Sequence, residues 1–234
     1  MDILESIKSV LAPPHRAGYP FILGGIVAAV LGLLVWHVLA WIGLMFTLFC
    51  LYFFRDPERV PPPRADVFLA PADGLVVSVE PAAPPPELGL GPAPRMRVAI
   101  FLSVLDVHVN RVPIGGVVTR IAYRAGTFVN AALDKASEDN ERNALAMRLP
   151  GGQEIAVVQI AGLIARRILC EVAEGQAVVA GQRFGIIRFG SRTDLYLPEG
   201  TVPLVAVGQR MIGGETVIAV LTPPAAGPLV EPLA

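Results

Sequence analysis

From Phe21 to Phe54 the chain runs for 34 residues without one Asp, Glu, Lys or Arg. As a single helix rising ~1.5 Å per residue, that run would be about 51 Å long against a hydrocarbon core of ~30 Å. It is too long for one upright crossing. Two arrangements fit: one tilted span with a buried continuation, or a broken, re-entrant pair of shorter helices with Gly32, His37 or Gly43 near the break. Trp36, Trp41, Tyr52, Phe53 and Phe54 suit interfacial depth. A cleaved signal peptide fits poorly, because the run starts late, is too long and ends in Phe-Phe-Arg-Asp-Pro instead of small residues. Residues 1–60 are therefore expected to form a membrane-associated helical segment. Basic residues flank it on both sides (Lys8 and Arg16 before; Arg55, Arg59 and Arg64 after), which suits both ends lying on the cytoplasmic face of the cell membrane.

Composition closes several routes to function. A net charge of −1 and a pI near 6.3 give no electrostatic basis for binding nucleic acid. A mean hydropathy of +0.58 with 17% charged residues is too apolar for a plain soluble domain or for disorder. Cys50 and Cys170 have no nearby partner for a disulfide or a metal site, which suits a reducing compartment. The only lysines are Lys8 and Lys135, so a mechanism based on an enzymic Schiff-base lysine has almost no candidates.

Beyond the stiff Pro61-Pro62-Pro63 exit the pattern turns to short strands over residues 61–234. Strands are expected at Phe68–Ala70, Leu75–Val79, Val98–Ser103, Val117–Tyr123, Ile155–Ile160, Phe184–Arg188, Val202–Val207 and Thr216–Leu221, punctuated by Gly and Pro. The proline-rich stretch 81–94 reads as a surface loop, and 134–143 as the one helix-tolerant polar stretch. Gly-Gln recurs in similar surroundings at 173–185 and 205–216, which suggests related hairpin turns. The fold class expected is mainly β, a sandwich or barrel-like domain on an N-terminal hydrophobic helical anchor. It resembles the barrel-sandwich of biotinyl and lipoyl carriers, but no lysine lies beyond Lys135 to be modified.

Three short stretches can carry chemistry. His108 is the one histidine of the β region, in Asp106-Val-His-Val-Asn-Arg111, where an extended chain sets Asp106, His108 and Asn110 on one face. Pro71-Ala-Asp-Gly74 is a turn signal, and its apolar flanks put Asp73 at low dielectric, where a carboxylate can orient an imidazole. In Phe189-Gly-Ser-Arg192, Gly190 lacks a β-carbon, which leaves its carbonyl open to attack by Ser191 Oγ once a base takes the hydroxyl proton.

Taken in order, Phe53-Phe-Arg-Asp-Pro-Glu-Arg59, Pro71-Ala-Asp-Gly74, Asp106-Val-His108, Gly126-Thr-Phe-Val-Asn-Ala-Ala-Leu-Asp-Lys-Ala-Ser137, Asn140-Glu-Arg-Asn143 and Phe189-Gly-Ser-Arg192 resemble the short form of the pyruvoyl-dependent phosphatidylserine decarboxylases. The resemblance implies a proenzyme that cuts itself between Gly190 and Ser191. The products would be a large fragment 1–190 and a small fragment 191–234, held together as a heterodimer. Ser191 would become a pyruvoyl group, which forms a Schiff base with phosphatidylserine and needs neither PLP nor a metal; the product is phosphatidylethanolamine. Ser191, His108 and Asp73 match the family's catalytic residues, with His108 serving cleavage and Asp73 orienting it. Longer members carry a second histidine where this chain has Arg111, and arginine cannot act as a base at ordinary pH. Phe128, Asn140, Arg142 and Arg192 are the candidate substrate contacts, Phe128 for acyl chains and the others for the head group. An exposed turn arginine is the competing reading of Arg192, and a surface helix that of 126–143.

Two other readings compete. A membrane-anchored Ser-His-Asp hydrolase would use the same three residues but lacks the Gly-x-Ser-x-Gly elbow. A noncatalytic envelope module would only bind lipid. A metal hydrolase has too few ligands in this sequence.

Overall fold

A computed structural model describes residues 12–126, 140–162, 167–188 and 191–221. Phe128, Gly190 and most of the 134–143 stretch lie outside the described residues.

The charge-free run folds as two helices, α1 (Tyr19–Val35) and α2 (His37–Phe53), divided by one extended residue, Trp36, at φ −163° and ψ 118°. Of the two arrangements open to the sequence, the broken pair is the one adopted. Small residues line the contact: a β-carbon on Gly32 would stand 2.3 Å from the Ala40 nitrogen, and one on Gly43 would stand 2.4 Å from that of Ala29. Only glycine lets the backbones come so close. Counted from Arg16, the first leg is long and apolar enough to cross a membrane; the second, His37–Phe53, is apolar but shorter. Leu23, Leu34, Trp41 and Leu48 point outward, exposed. The two ends of the hairpin return to one place, where the His15 N–H donates to the Phe54 carbonyl at 2.7 Å and that of Asp56 to Pro13 at 2.9 Å.

The remainder is β-rich. Its strands are β1 (Val67–Leu69), β2 (Gly74–Ala82), β3 (Arg95–Leu102), β4 (Val109–Arg111), β5 (Gly116–Arg124), β6 (Arg142–Arg148), β7 (Glu154–Ala161), β8 (Ile168–Cys170), β9 (Ala177–Val178), β10 (Arg183–Ile187), β11 (Ser191–Tyr196), β12 (Arg210–Met211) and β13 (Val217–Val220). Eight form one curled antiparallel sheet in the order β12-β2-β3-β11-β7-β6-β5-β9; β4-β10-β8 and β1-β13 are small sheets. Phe68, Val76, Ile100, Leu145, Val157, Phe184, Leu195 and Ile218 join all three sheets in one core.

The middle of the large sheet is covered on both faces. Ile155 and Val157 of β7 enter the main core, whereas Ala156, Val158 and Ile160 pack with Leu88 and Tyr196 on the other side. A strand buried on both faces reads as one continuous apolar run. The proline-rich stretch is accordingly more than a surface loop: β2 continues to Ala82, and a 3-10 turn at Pro86–Leu88 sets Leu88 onto the outer face. The expected strand at 202–207 is absent. Val202, Leu204 and Val207 are exposed in turns, with one bridge at Pro203. The Gly-Gln segments do form related turns. Gly175, Gly181 and Gly208 all have φ between 77° and 92°. In each turn the following Gln accepts from the backbone N–H three residues back, at 3.0, 3.1 and 3.0 Å for Gln176, Gln182 and Gln209.

Candidate active site

β11 begins at Ser191, which pairs with Leu102 of β3 on one side and Ala161 of β7 on the other. One strand further, Leu75 of β2 pairs with Phe101, so the Asp73-Gly74 turn ends at the same level of the sheet. Adjacent strands are about 4.8 Å apart, which puts Gly74 and Ser191 roughly 10 Å from each other. Ser191 is fully buried, and its Oγ has no hydrogen-bond partner among the described residues. A buried hydroxyl without a partner costs about 1–3 kcal/mol, so stability does not account for a serine here.

His108 lies just before β4, fully buried. Its Nδ1 sits 2.9 Å from the Asp106 carbonyl oxygen, which makes Nδ1 the protonated nitrogen and leaves Nε2 with the lone pair. Nε2 is buried and likewise has no hydrogen-bond partner among the described residues. The ring packs on Phe53, the last residue of α2, with centroids 4.1 Å apart. Burial drives the His108 pKa down to about 4; the Asp106 carbonyl and carboxylate oppose that shift, and Arg55 adds to it. The imidazole is neutral at physiological pH, a base with a free lone pair.

The expected Asp73–His108 pair does not form. Asp73 accepts from Arg59 at 2.7 Å and from the Gly213 N–H at 2.8 Å. The Asp106 carbonyl, two residues away in sequence, takes the Nδ1 position instead. Burial raises the Asp73 pKa, against the pull of Arg59 and the Gly213 N–H. Asp73 and His108 still share an electrostatic environment, since Arg55 and Asp106 act on both. Nor do Asp106, His108 and Asn110 form one polar face. Asp106 folds back on Ser103, accepting from its N–H at 2.8 Å and its hydroxyl at 2.7 Å. Asn110 joins a buried network in which Gln159 donates to it at 2.7 Å and Asn143 donates to Gln159 at 2.9 Å. That network ties β4, and with it His108, to the sheet that carries Ser191. Gln159, the single polar side chain in the apolar run of β7, was the signal for it.

The expected head-group residues are otherwise engaged. Residues on one strand alternate faces, so Arg192 lies on the opposite side of β11 from Ser191. It is buried and bidentate to Asp194, at 2.8 and 2.9 Å, and is not an exposed turn arginine. Arg142 begins a strand, not a helix, and pairs with Glu87 at 2.9 Å. Arg142 lines a cavity of about 520 Å³ on that far side, with Glu80, Arg97 and Asp194, the partner of Arg192. Asn140 is buried and donates to the Ala161 carbonyl at 2.8 Å, and Glu141 accepts from Tyr123 and from the Ile168 N–H.

The strap between hairpin and sheet has its own function in the fold. Asp56 accepts from Arg111 at 3.2 Å and forms an ion pair with Arg183 at 2.6 Å; Arg111 also donates to the Pro57 carbonyl at 2.6 Å and to that of Gly181 at 3.0 Å. Arg111 is thus a buried clamp holding the hairpin exit to the β domain. Removing one partner of a buried ion pair costs about 3–5 kcal/mol, so Arg111→Ala is expected to lower the thermal midpoint in detergent by well over 5 °C, whereas Arg64→Ala, on an exposed pair, leaves it unchanged.

The described residues thus form a β domain on an apolar helical hairpin, with a buried serine and a buried neutral histidine whose Oγ and Nε2 make no hydrogen bond among the described residues. The family model for phosphatidylserine decarboxylase matches residues 46–219. The chain is 71% identical over 223 residues to the phosphatidylserine decarboxylase proenzyme of Granulibacter bethesdensis, covering 95% of this chain and 91% of that one. It is 62% identical to the proenzyme of Gluconacetobacter diazotrophicus, over 94% of this chain and 99% of the relative. For the proenzyme of Cereibacter sphaeroides the identity is 57%, over 94% of each chain. The chain belongs to the phosphatidylserine decarboxylase family.

Proposed function

We propose that this chain cuts itself at Gly190–Ser191 and then decarboxylates phosphatidylserine to phosphatidylethanolamine, with a pyruvoyl group made from Ser191. One observation carries the reading: a buried Ser191 hydroxyl and a buried His108 Nε2, each without a hydrogen-bond partner among the described residues, in a chain of this family. A group generated from Ser191 fits that setting, because it needs no entry path and loses no existing hydrogen bond.

In this account His108 Nε2 takes the proton from Ser191 Oγ as that oxygen bonds to the Gly190 carbonyl carbon. The Gly190–Ser191 C–N bond breaks, leaving an ester and a free amine. Loss of the Ser191 α-proton then expels the Gly190 carboxylate, which divides the chain into 1–190 and 191–234. Water replaces the nitrogen of the new terminus, releasing ammonia and leaving a ketone. The pyruvoyl group supplies the electron sink that lets CO₂ depart from the amine-linked substrate. His108 Nε2 then returns a proton to the substrate α-carbon. Asp73, fixed by Arg59 and Gly213, holds the neighbouring turn in place and acts on His108 only through their shared field.

The hairpin supports putting this chemistry at a bilayer. Its outward side chains are apolar, and its two ends meet on one side. We assign both ends and the β domain to the cytoplasmic face of the cell membrane, with the two fragments remaining associated through β11, which lies between β3 and β7 of the large fragment.

The depressed pKa of His108 sets the pH dependence. The base form is present above about 4 and lost below it. Self-cleavage of freshly refolded or newly translated chain is expected to be flat from pH 8 to 5 and to fall only as pH approaches 4. A midpoint near 6.5, the value of an exposed histidine, contradicts the assignment. The reaction itself is tested by incubating the purified chain with phosphatidylserine and cyanoborohydride. Covalent capture of the lipid on the small fragment supports the reading, and an intact chain with a reactive serine would favour the hydrolase.

A further inference from the structure

The arginines first expected at the head group, Arg192 and Arg142, are buried against carboxylates. Arg188 is different. It follows β10 and precedes Ser191 by three residues, and its Nε is buried without a hydrogen-bond partner. Its guanidinium makes no ion pair among the described residues; its carbon lies 5.3 Å from the centre of the Phe21 ring, in the first turn of α1. The register of β10 against β8 pairs Ile187 with Ile168, and one step further the Arg188 N–H donates to the Arg167 carbonyl at 3.3 Å. Arg167 is exposed and also has no carboxylate partner among the described residues. Two arginines therefore stand opposite each other just beyond paired strands, neither in an ion pair with a carboxylate among the described residues. Like charges so placed destabilise a sheet. Burial and the charge of Arg167 both push the Arg188 pKa down. A bound anion removes that penalty.

We propose that Arg188 and Arg167 form the receptor for the phosphodiester of the substrate's head group. The inference rests on the decarboxylase reading above. Guanidinium is the side chain best matched to phosphate, since its planar fork can donate two parallel hydrogen bonds. The site lies at the foot of the hairpin, where Phe21 supports Arg188 and the apolar outer face of α1 continues away from it. A lipid with its acyl chains along α1 sets its phosphate at Arg188, and the serine amine then lies toward Ser191.

The test uses the full chain in mixed micelles, with every rate normalised to pyruvoyl content by mass spectrometry. Arg188→Gln is expected to raise KM for phosphatidylserine about ten- to hundredfold, the range for losing a charge-assisted hydrogen bond, with a much smaller change in kcat. Arg167→Gln, exposed and safe for folding, gives a smaller rise in the same direction, and Arg188→Lys recovers part of the loss. Glycerophosphoserine competes with substrate in the wild type and loses that effect in Arg188→Gln, while inorganic phosphate competes far more weakly. An unchanged KM in both glutamine variants overturns the proposal. So does inorganic phosphate competing as well as glycerophosphoserine, which would mark a free-anion site. A wild-type chain that carries no pyruvoyl overturns the decarboxylase reading itself, whatever the arginine variants do.

Discussion

Ser191→Ala is expected to yield a single full-length chain with no decarboxylase activity. The argument is chemical first: alanine has no oxygen to form the ester, so neither the break at Gly190 nor the ketone can arise. It is also structural. Ser191 Oγ has no hydrogen-bond partner among the described residues, and its backbone pairs with Leu102 and Ala161 are untouched by the substitution. Removing a buried unsatisfied hydroxyl leaves stability the same or raises it by about 1 kcal/mol. Loss of processing with an unchanged or higher thermal midpoint therefore separates chemistry from misfolding. Gel mobility and lipid turnover read the result, and normal cleavage in this variant would disprove the junction.

His108→Gln gives the second large effect. General-base catalysis contributes about 10²–10⁴-fold, so self-cleavage is expected to slow by that factor and the uncut chain to accumulate. No other described histidine can substitute: His15 accepts from the Ala17 N–H and contacts Glu171, and His37 begins α2 inside the hairpin. Stability should move the opposite way in acid. An unfolded histidine binds a proton below about 6.5, whereas folded His108 does so only below about 4, so acidification through that window disfavours the wild-type fold by about 3 kcal/mol. The glutamine variant lacks this contribution and should lose less stability between pH 7 and 4, measured by thermal unfolding in detergent. Cleavage at the wild-type rate would remove His108 from the mechanism.

The long apolar helical segment was legible because 34 uncharged residues leave few alternatives, but the break at Trp36 was not, since it depends on the backbone of one residue. Strands with apolar alternation were legible. β6 and β11 were not, because Arg142, Asn143, Arg192, Thr193 and Asp194 make them look like surface when every one of these is buried in a polar network. The reverse error fell at 202–207, where exposed valines in turns imitate a strand. His108 stood out as the one histidine of the β region, and Ser191 through the Gly190-Ser191 junction and the family resemblance. Their surroundings did not, since Phe53 against His108, Arg59 on Asp73 and Arg167 opposite Arg188 are pairings across long separations that only the folded chain reveals.

Weighing the purified protein whole, without proteolysis, addresses the central claim most directly. Two species are expected, ending at Gly190 and beginning at position 191, whose masses sum to the uncut chain plus one water and minus one ammonia. One species at the full-chain mass, in a preparation that still turns phosphatidylserine into phosphatidylethanolamine, would contradict it.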